Sequence, residues 1–384
     1  MMNKKICFIT GSRAEYGLLK PIMEEIRKGE FELKLIVTGM HLSPQFGMTI
    51  DDIYRDGFKA DIKVEMTPKT DSQEAMAESV GVGIIGLTKA LGNIKPDLVL
   101  ILGDRVEVLA GAIASSYSNI PVAHIHGGDS AKAGLDENTR HAITKISHIH
   151  FPASKISAER ILRMGEENWR IHVIGAPGLD DISAGKFTSK DVLMKKYQLD
   201  QERPIIMLVQ HPVTTQVDQA SAQIINTLEA VVSFGYQTII IYPNSDAGSR
   251  NIITIIEEYL RKYSFLKGYK SISRPDYLGL LSIVSVLVGN SSSGIIESSS
   301  FQLPVVDIGI RQEGREQSLN IIHADHEALA IEESISKSLS DRAFLEKVKL
   351  CKNPYWYGGA GKKVARVLSD LEINDKLLQK KITY

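Results

Sequence analysis

Short apolar runs rich in β-branched residues recur along the chain and alternate with stretches of helical periodicity. In the first half the runs are KKICFIT, ELKLIVTG, PDLVLILGD, PVAHIHGG and WRIHVIG, and in the second half they are PIIMLVQH, QTIIIYP, SVLVGNS and PVVDIG. Runs that are apolar on both faces are typical of central strands in a parallel sheet. Because strands alternate with helices, we predict βαβ units and a doubly wound α/β fold.

The pattern of strands and helices occurs twice, on either side of a break at residues 173–192. A chain of 384 residues exceeds what one ordinary core accommodates, so two domains are expected. We predict Rossmann-like domains over residues 1–176 and 177–361, and at 362–384 an amphipathic C-terminal helix that packs back on the first domain. Ligands of such sheets lie beyond the carboxyl ends of the strands, and the cleft between two domains is the expected binding place.

The composition excludes several classes of partner. The formal net charge is −1, so neither nucleic acid nor an anionic membrane surface is expected as a partner. The two cysteines, Cys7 and Cys351, exclude a disulfide framework and favour a cytoplasmic location. The N-terminal apolar run is too short for a signal peptide, and no segment is expected to approach the roughly 18 apolar residues that span a bilayer.

Polar and charged side chains crowd at the ends of the predicted strands. In the first half they are Ser12, Arg13, Glu15, Asp104, Arg105, His124, His126, Asp129, Asp136, Glu137 and Arg140, and in the second half they are His211, Thr214, Thr215, Asn244, Asp246, Ser291, Arg311 and Arg315. The carboxyl ends of parallel strands meet at one edge of a sheet. The crowding therefore predicts a catalytic cleft.

The stretch GNSSSG carries Ser291, Ser292 and Ser293 between Gly289 and Gly294, where a predicted strand runs into a predicted helix. Free amides and the partial positive charge of a helix N-terminus suit a phosphate, and the hydroxyls add donors. Helix capping is the alternative, but it explains one serine rather than a run between glycines. The stretch lacks the ending of a Walker loop, and TGSRAEYG lacks the G-x-G-x-x-G of a dinucleotide site.

The histidines divide into two groups. His124 alternates with His126 on one predicted strand, and His148 alternates with His150 on another. Neither pair has a third ligand at a convincing spacing, so buried, hydrogen-bonded histidines are favoured over a metal site. His211 differs because it ends an apolar strand and precedes a proline, which places it toward the cleft, with a structural role as the alternative.

The carboxylates also have alternatives to catalysis. Asp104 stands beside Arg105 and would serve equally as one half of an ion pair. Asp136 and Glu137 stand at the start of a predicted helix, where an N-capping role is the alternative to a catalytic one.

Eight motifs, taken together and in order, resemble the hydrolysing UDP-N-acetylglucosamine 2-epimerases. They are GSRAEYG, GDR, HIHGG, DENTRHAITK, HPVTT, PNSDAGS, GNSSSGIIE and RQEGRE, and the resemblance extends from about Lys5 to Gly361. It is strongest to the branch that serves sialic acid synthesis. The family has the GT-B architecture of two Rossmann-like domains, and the resemblance implies a UDP-sugar substrate, a homodimer, and no metal or cofactor.

The resemblance also implies a mechanism. UDP leaves C1 of the sugar while the proton at C2 is removed, which gives an enzyme-bound glycal. Water then adds to the double bond, C2 is protonated from the other face, and N-acetylmannosamine leaves with UDP. Such a reaction needs a general base, a general acid and support for the departing diphosphate.

Roles carry over to positions of this chain by the same resemblance. For UDP binding the positions are Arg13, Asn244, Ser291, Ser292, Glu297 and Arg311, with Arg13 on the diphosphate and Glu297 on the ribose. For catalysis they are Asp104, His126, Asp136 and His211. Asp104 and Asp136 are the expected proton-transfer groups, and His211 is expected to steady the leaving phosphate or the sugar.

His126 marks a departure, because many family members carry HIEGG where this chain has HIHGG. Histidine transfers protons near neutral pH, so the change is compatible with catalysis. HIHGG also occurs in relatives that act on UDP-2,4-diacetamido-trideoxy sugars for legionaminic acid, which keeps that substrate open. A GT-B glycosyltransferase and a non-catalytic sensor of nucleotide sugars are the remaining alternatives.

Overall fold

The structure is a computed structural model, and it describes residues 3–67, 70, 72–131 and 134–384. The chain forms two compact units. Unit 1 comprises Met1–Ser130, Leu135–Asp180 and Tyr355–Tyr384, and unit 2 comprises Ala131–Gly134 and Asp181–Pro354. The sequence predicts the divisions after residues 176 and 361, whereas the units divide after Asp180 and before Tyr355.

The described residues contain strands β1 to β12. They are β1 Lys4–Thr10, β2 Phe31–Thr38, β3 Ile62–Val64, β4 Leu98–Leu102, β5 Val122–Ile125, β6 Ile149–Phe151, β7 Ile205–Val209, β8 Gln237–Ile241, β9 Leu266–Tyr269, β10 Val286–Gly289, β11 Val305–Ile308 and β12 Ile321–Ala324.

Helices follow most of the strands. They are α1 Arg13–Lys28, α2 Ile50–Arg55, α3 Gln73–Ile94, α4 Val106–Tyr117, α5 Asp136–Ile146, α6 Lys155–Arg163, α7 Gly178–Ser183, α8 Lys190–Tyr197, α9 Ala220–Ser233, α10 Ser249–Lys262, α11 Arg274–Leu281, α12 Ser293–Ile296, α13 Ala328–Ser340, α14 Arg342–Lys349, α15 Ala360–Asp370 and α16 Asp375–Leu378.

Unit 1 contains a six-stranded parallel sheet in the order β3-β2-β1-β4-β5-β6. The strand order reverses between β1 and β4, and ligands of open α/β sheets bind at such a point. The sheet is covered on both faces, because Ile6 and Phe8 of β1 belong to one apolar core and Cys7 and Ile9 belong to the other. This packing explains the doubly apolar strands in the sequence.

Unit 2 contains a second six-stranded parallel sheet, in the order β12-β11-β10-β7-β8-β9. Its order reverses between β7 and β10, so the two sheets share one topology. Ile206 and Leu208 of β7 belong to one apolar core, and Met207 and Val209 belong to the core on the opposite face. The two parallel sheets with their helices confirm the predicted fold class.

Two local predictions are wrong. WRIHVIG is not a strand: it overlaps a 3-10 turn at Asn168–Arg170, and its pairing is limited to an isolated bridge between Ile171 and His150. The sequence was also expected to contain no segment apolar enough to span a bilayer. By length and composition alone α3 meets that criterion, although core helices of globular proteins also meet it.

The C-terminal segment belongs to unit 1. Helix α15 packs against α1 and buries Val364 and Leu368 in the same apolar core as β1. Beyond it, the Arg170 guanidinium is fully buried and donates to the carbonyl oxygens of Leu377 and Lys376, at 2.8 and 2.9 Å. The tail is therefore held by both apolar contacts and hydrogen bonds.

Candidate active site

An ionic cluster at the carboxyl edge of the unit 1 sheet is built around Arg140. This side chain is almost fully buried, and its Nη2 forms an ion pair with Asp104, which follows β4. Its Nη1 donates to Glu137 Oε2 and to the carbonyl oxygen of Asp129, both at 3.2 Å. Burial alone would lower the pKa of Arg140, but nearby carboxylates, Asp104 foremost, raise it. We call Arg140, Asp104 and Glu137 the Arg140 cluster.

The carboxylates of the Arg140 cluster remain partly open to solvent. The side chain of Asp104 is 20% exposed and that of Glu137 is 22% exposed, against 2% for Arg140. Glu137 Oε1 also accepts a hydrogen bond from Ser130 Oγ at 3.0 Å and lies 3.2 Å from His141 Nε2. Each carboxylate therefore combines an ion pair with the buried guanidinium and a side that remains open to solvent.

His126 lies directly after β5 in a left-handed backbone conformation, with a φ of +62°. Because β5 ends at Ile125, His126 lies outside the strand, and the prediction that it shares one strand face with His124 is wrong. His126 is 5% exposed, its Nδ1 lies 3.0 Å from Asp129 Oδ2, and its Nε2 has no hydrogen-bond partner among the described residues. By contrast, His124 Nε2 donates to the Gly103 carbonyl at 2.7 Å, and burial lowers the pKa of His124 to about 3.

The turn after β1 presents the first predicted phosphate ligand. Ser12 caps α1, because its Oγ accepts from the amide of Glu15 at 3.4 Å. Arg13 begins the helix, and its Nη1 lies 3.8 Å from Asp52 Oδ2. Since β1 and β4 flank the reversal of strand order, Arg13 and Asp104 lie at the same edge of the sheet.

In unit 2, Asn290 joins the ends of the two strands that flank the reversal of strand order. It follows β10, and its side chain accepts from the backbone amide of His211 at 2.7 Å and donates to the His211 carbonyl at 2.9 Å. His211 follows β7, so these two hydrogen bonds continue the pairing of β7 with β10 beyond the last residues of the strands. The backbone of His211 is thereby fixed.

The imidazole of His211 is oriented by a second contact. Its Nδ1 accepts from the backbone amide of Asn244 at 3.1 Å. A neutral imidazole whose Nδ1 accepts must carry its proton on Nε2, so His211 presents an Nε2–H donor. The Asn244 side chain is engaged locally, because its Nδ2 donates to Asp246 Oδ2 at 2.5 Å.

The three serines after β10 have different environments. Ser293 Oγ is hydrogen-bonded to the hydroxyl of Tyr277, whose pKa is raised first by burial and then by the charge of Glu297. Ser291 Oγ lies 3.1 Å from Ser293 Oγ. Ser292 stands at the N-cap of α12, but its side chain makes no capping hydrogen bond. Capping therefore does not account for the Ser292 hydroxyl.

The helix after the serines differs from the prediction. Helix α12 has four residues and is followed by a 3-10 turn at Ser298–Phe301. A helix of one turn adds little dipole, so the hydroxyls and amides of the turn itself remain as the donors for an anion.

Glu297 is held by a cation that the sequence interpretation missed. Its carboxylate is 4% exposed, and Oε1 lies 2.6 Å from Arg274 Nη2. Arg274 is the first residue of α11, 23 positions earlier in the chain. The ion pair fixes one carboxylate oxygen.

The loop after β11 also contacts Asn290. Arg311 Nη1 donates to the Asn290 carbonyl at 3.1 Å, and Gln312 Nε2 donates to the same oxygen at 2.8 Å. Arg311 is thereby anchored beside the residue that precedes Ser291.

A sequence model of the family described as "UDP-N-acetylglucosamine 2-epimerase" matches residues 24–369. The chain belongs to the UDP-N-acetylglucosamine 2-epimerase family. It is 37% identical over 380 residues, 99% of each chain, to the UDP-N,N'-diacetylbacillosamine 2-epimerase (hydrolyzing) of Legionella pneumophila. It is 36% identical over 341 residues, 88% of each chain, to the UDP-N-acetylglucosamine 2-epimerase of Neisseria meningitidis serogroup B.

Solved structures of 2-epimerases share the fold. The UDP-GlcNAc 2-epimerase from Neisseria meningitidis, bound to UDP-GlcNAc, superposes with a TM-score of 0.82 at 20% identity and covers 96% of this chain and 100% of its own. The Methanocaldococcus jannaschii UDP-GlcNAc 2-epimerase, in complex with UDP-GlcNAc and UDP, gives a TM-score of 0.80 at 20% identity, with coverage of 95% and 99%. At these identities the likeness concerns the fold, and it agrees with the GT-B-like architecture of the 2-epimerase family.

The predicted site residues fall into two groups, one in each unit. Unit 1 holds Arg13, Asp104, His126 and Asp136, and unit 2 holds Asn244, His211, Ser291, Ser292, Glu297 and Arg311. Within unit 1, Asp136 begins α5 and adds negative charge near Arg140. Within unit 2, contacts through Asn290 connect His211 with Arg311.

Asp129, Glu137 and Arg140 stand among the strand-end residues from which the cleft is predicted, but they are not in the set to which catalytic or binding roles are carried over. Glu137 and Arg140 lie one turn apart on the same helix face of DENTRH, which is the sequence signal for their contact. Arg274 and Asn290 are absent from the predicted residues. The signal for Asn290 was weaker, since its partner His211 lies 79 positions away.

No group of three or more histidine, cysteine, aspartate or glutamate side chains suited to a metal ion occurs among the described residues. The buried histidines have protein partners instead. His150 Nε2 lies 3.2 Å from Glu166 Oε2, and burial lowers the pKa of His150 to about 4.

Proposed function

We propose that this 2-epimerase family member is a hydrolysing UDP-N-acetylglucosamine 2-epimerase, which converts UDP-N-acetylglucosamine and water to N-acetylmannosamine and UDP for sialic acid synthesis in surface polysaccharide. The observation that carries the proposal is the Arg140 cluster, linked through Asp129 to His126. Inversion at C2 needs a group that accepts a proton and a group that returns one. Ionised carboxylates and an imidazole at one sheet edge supply both.

The proton transfers are assigned to unit 1. In the elimination, the C2–H electron pair forms the C1–C2 double bond, and UDP leaves with the electrons of the C1–O bond. In the hydration, the water oxygen bonds to C1 and a proton is added to C2 from the opposite face. The proposed groups are Asp104, His126 and Asp136, to which the contacts of Arg140 add Glu137. The net reaction changes no oxidation state, so no redox cofactor is required.

Binding of the departing UDP is assigned to a second set of the predicted residues. A leaving diphosphate gains negative charge, which donors aimed at it stabilise. His211 carries its proton on Nε2, which suits donation to a phosphate oxygen. The proposed diphosphate ligands are Arg13, His211, Ser291, Ser292 and Arg311, while Asn244 supports His211 through its backbone amide. Glu297 is the proposed acceptor for the ribose hydroxyls.

A second donor has specific support. The Legionella pneumophila relative, 37% identical over 99% of this chain, is named for UDP-N,N'-diacetylbacillosamine, a diacetamido sugar nucleotide. The same elimination and hydration applies to UDP-2,4-diacetamido-2,4,6-trideoxy-glucose, because the reacting atoms C1 and C2 are unchanged. This donor is therefore the alternative substrate.

The reaction is tested by isotope incorporation. The protein is incubated with each donor in deuterium oxide enriched in heavy oxygen, and the products are analysed by NMR and mass spectrometry. We expect free N-acetylmannosamine, or its diacetamido counterpart, with deuterium at C2 and heavy oxygen at C1, together with unlabelled UDP. Heavy oxygen in UDP would mean cleavage at phosphorus and would contradict the elimination.

The other outcomes distinguish the alternatives. A nucleotide-bound epimer without release of UDP would indicate the non-hydrolysing reaction. Donor consumption only when an acceptor sugar is added would indicate a glycosyltransferase. Binding of UDP without turnover of either donor would indicate a sensor.

A homodimer is proposed from the exposed face of α3. Val82 is 52% exposed and Ile85 is 61% exposed, and Glu78 and Lys89 lie four residues before and after them on the same face. When two copies of α3 pack antiparallel about a two-fold axis, Val82 meets Ile85 of the second copy. In the same register Glu78 meets Lys89. The face is thus complementary to itself in apolar character and in charge.

The dimer register is tested by charge exchange and analytical ultracentrifugation. Glu78→Lys and Lys89→Glu each place like charges together twice per dimer, and each is expected to weaken dimerisation roughly tenfold. The double variant restores opposite charges and is expected to recover most of that loss. A double variant whose dimerisation is weakened as much as that of a single variant, or by both single losses together, would contradict the register. A monomeric wild type would contradict the dimer.

We also propose that the protein acts in the cytoplasm. Cys7 and Cys351 are both unpaired, and burial raises the pKa of the Cys7 thiol. Free thiols persist in a reducing compartment.

A further inference from the structure

The side chain of His126 is held from one side by a chain of buried hydrogen bonds. Asp129 is 4% exposed, and its Oδ2 lies 3.0 Å from His126 Nδ1. Its Oδ1 accepts from Ser157 Oγ at 2.8 Å, and Ser157 Oγ accepts in turn from Ser154 Oγ at 3.2 Å. The backbone carbonyl of Asp129 accepts from Arg140. Asp129 is therefore fixed at its backbone and at both carboxylate oxygens.

This arrangement selects one tautomer of His126. An ionised carboxylate accepts hydrogen bonds and donates none, so the shared proton belongs to His126 Nδ1. The lone pair of the neutral ring is then on Nε2, the buried atom that has no hydrogen-bond partner among the described residues. Buried polar atoms normally have partners, so an unsatisfied acceptor at a sheet edge indicates a place for a substrate group.

We propose that Asp129 is a positioning residue that holds His126 with Nε2 as the proton acceptor for the sugar. The inference rests on the proposed function. Nε2 takes the proton from C2, the C2–H electron pair becomes the C1–C2 double bond, and UDP leaves with the C1–O pair. The resulting imidazolium is paired with the Asp129 carboxylate, which lowers the cost of forming it. As the proton acceptor, His126 needs Asp129 as its orienting partner.

Several charged groups surround this segment. They are Asp104, Asp129, Glu137, Arg140 and Arg160, together with the neutral His124. Of these, Asp129 makes the direct contact with the His126 ring. Loss of its carboxylate is therefore expected to affect the orientation and the tautomer of His126 more than loss of any other of these groups.

The first test is the tautomer itself, which needs no substrate. In the wild type with nitrogen-15 labelled histidine, long-range NMR correlations show which ring nitrogen of His126 carries the proton, and the His126→Gln variant identifies its signal among the 10 histidines. We expect the Nδ1–H form at pH 8. An Nε2–H form would overturn the inference while leaving the proposed reaction intact.

The second test uses Asp129→Asn, which keeps the shape but offers an amide donor to Nδ1. The donor favours the Nε2–H tautomer, so kcat is expected to fall roughly 10²–10⁴-fold with little change in KM. Asp129→Glu keeps the charge and is expected to restore part of the activity.

Asp276→Asn is the matched control. Asp276 is also 4% exposed, and it bonds to Thr188 and Tyr197 of unit 2. Its loss is expected to lower stability without changing kcat or the His126 tautomer. An Asp129→Asn variant with unchanged kcat overturns the inference. If that variant fails to fold, the wild-type tautomer and the kcat of Asp129→Glu decide.

Discussion

Unit 1 contains two ionic clusters that share helix α5 and differ in the exposure of their carboxylates. The Arg140 cluster surrounds a buried cation, and its carboxylates are about one-fifth exposed. The second cluster surrounds a buried anion, Glu166, whose Oε1 lies 2.7 Å from Lys145 Nζ and whose Oε2 lies 2.8 Å from Lys380 Nζ. We call Glu166, Lys145, His150 and Lys380 the Glu166 cluster.

The difference between the clusters is whether the carboxylates remain accessible, because Glu166 is 1% exposed although its partner Lys145 is 37% exposed. In the Glu166 cluster, Lys380 Nζ also donates to the carbonyl of Lys145 at 2.7 Å, which ties the C-terminal tail to α5. In the Arg140 cluster, each carboxylate keeps a solvent-accessible side. The Glu166 cluster is closed around its carboxylate and stabilises a chain segment, whereas the carboxylates of the open Arg140 cluster can meet a ligand. We therefore expect the first cluster to serve stability and the second to serve the proposed reaction.

The largest expected effect is on the open cluster. Asp104→Asn removes an ionised acceptor while keeping its shape, so kcat in the isotope assay is expected to fall about 10³-fold. The control is Asp97→Asn at the amino end of β4, where the carboxylate accepts from the amide of Lys5 at 2.7 Å. That variant is expected to keep wild-type kcat. Equal losses in both variants would mean that Asp104 acts through the fold.

Glu166→Gln is expected to lower the free energy of unfolding rather than kcat. Burial alone would raise the pKa of Glu166, but hydrogen bonds from His150, Lys145 and Lys380 lower it to about 2. A shift from 4.5 to about 2 corresponds to on the order of 3 kcal/mol of stability. This contribution is complete above pH 4.5 and is lost as the pH falls through 2. The deficit of the variant is therefore expected at pH 7 and should shrink toward pH 2.

Urea unfolding followed by tryptophan fluorescence measures this deficit. Trp169 stacks on the Arg170 guanidinium at 4.2 Å and lies near Lys376, so it reports the region that holds the tail. Glu372→Gln, at an exposed tail position, is the control and is expected to change stability by less than about 0.5 kcal/mol. A Glu166→Gln deficit that does not vary with pH would refute the role of ionisation.

Most of the fold was predictable because burial on two faces leaves a mark in the sequence. Apolar residues at successive positions of β1 and β7 indicated sheets covered on both sides. The strands that were missed, including β3 and β12, are short, and β12 is partly exposed, so the apolar pattern is weak. WRIHVIG has an apolar pattern, but Ile174 packs against the core from outside the sheet.

The candidate site was predictable to a lesser degree. Residues at strand ends were found because topology brings such ends to one edge. The contacts of these residues were not predictable. Asn290 and His211, for example, lie 79 positions apart and meet only in the folded chain, so no local pattern indicates their contact. The role of Asp129 depends on its distance from His126 and on burial, which spacing alone does not supply.

A comparison within α5 has the next largest expected effect. Arg140→Lys retains the positive charge but not the fork that serves three acceptors, so kcat is expected to fall roughly 10²-fold. Lys145→Arg is the matched exchange in the last turn of the same helix, and it is expected to lower Tm without changing kcat. If Lys145→Arg lowers kcat as much as Arg140→Lys does, the two clusters are not functionally separate.

The smallest expected effect concerns a buried carboxylate that lacks the cations of the Glu166 cluster. Glu15 is 5% exposed, its Oε2 accepts from the amide of Gly11 at 3.1 Å, and burial followed by the charge of Glu107 raises its pKa well above the usual value. A raised carboxyl pKa means that stability is greatest below pH 4.5 and declines as the pH rises toward the folded-state pKa. The slope is opposite in sign to that expected from Glu166.

Glu15→Gln removes this dependence, because the amide stays neutral at every pH and still accepts from Gly11. At pH 8 the variant is expected to exceed wild-type stability by about 1 kcal/mol, or roughly 2–4 °C in Tm. At pH 4 the two proteins are expected to unfold at the same temperature, since Glu15 is then protonated in both the folded and unfolded states. Thermal scans at both pH values measure the difference. A variant that is less stable at pH 8 would show that the Glu15 charge is compensated within unit 1, and the distinction between paired and unpaired buried carboxylates would then fail for this residue.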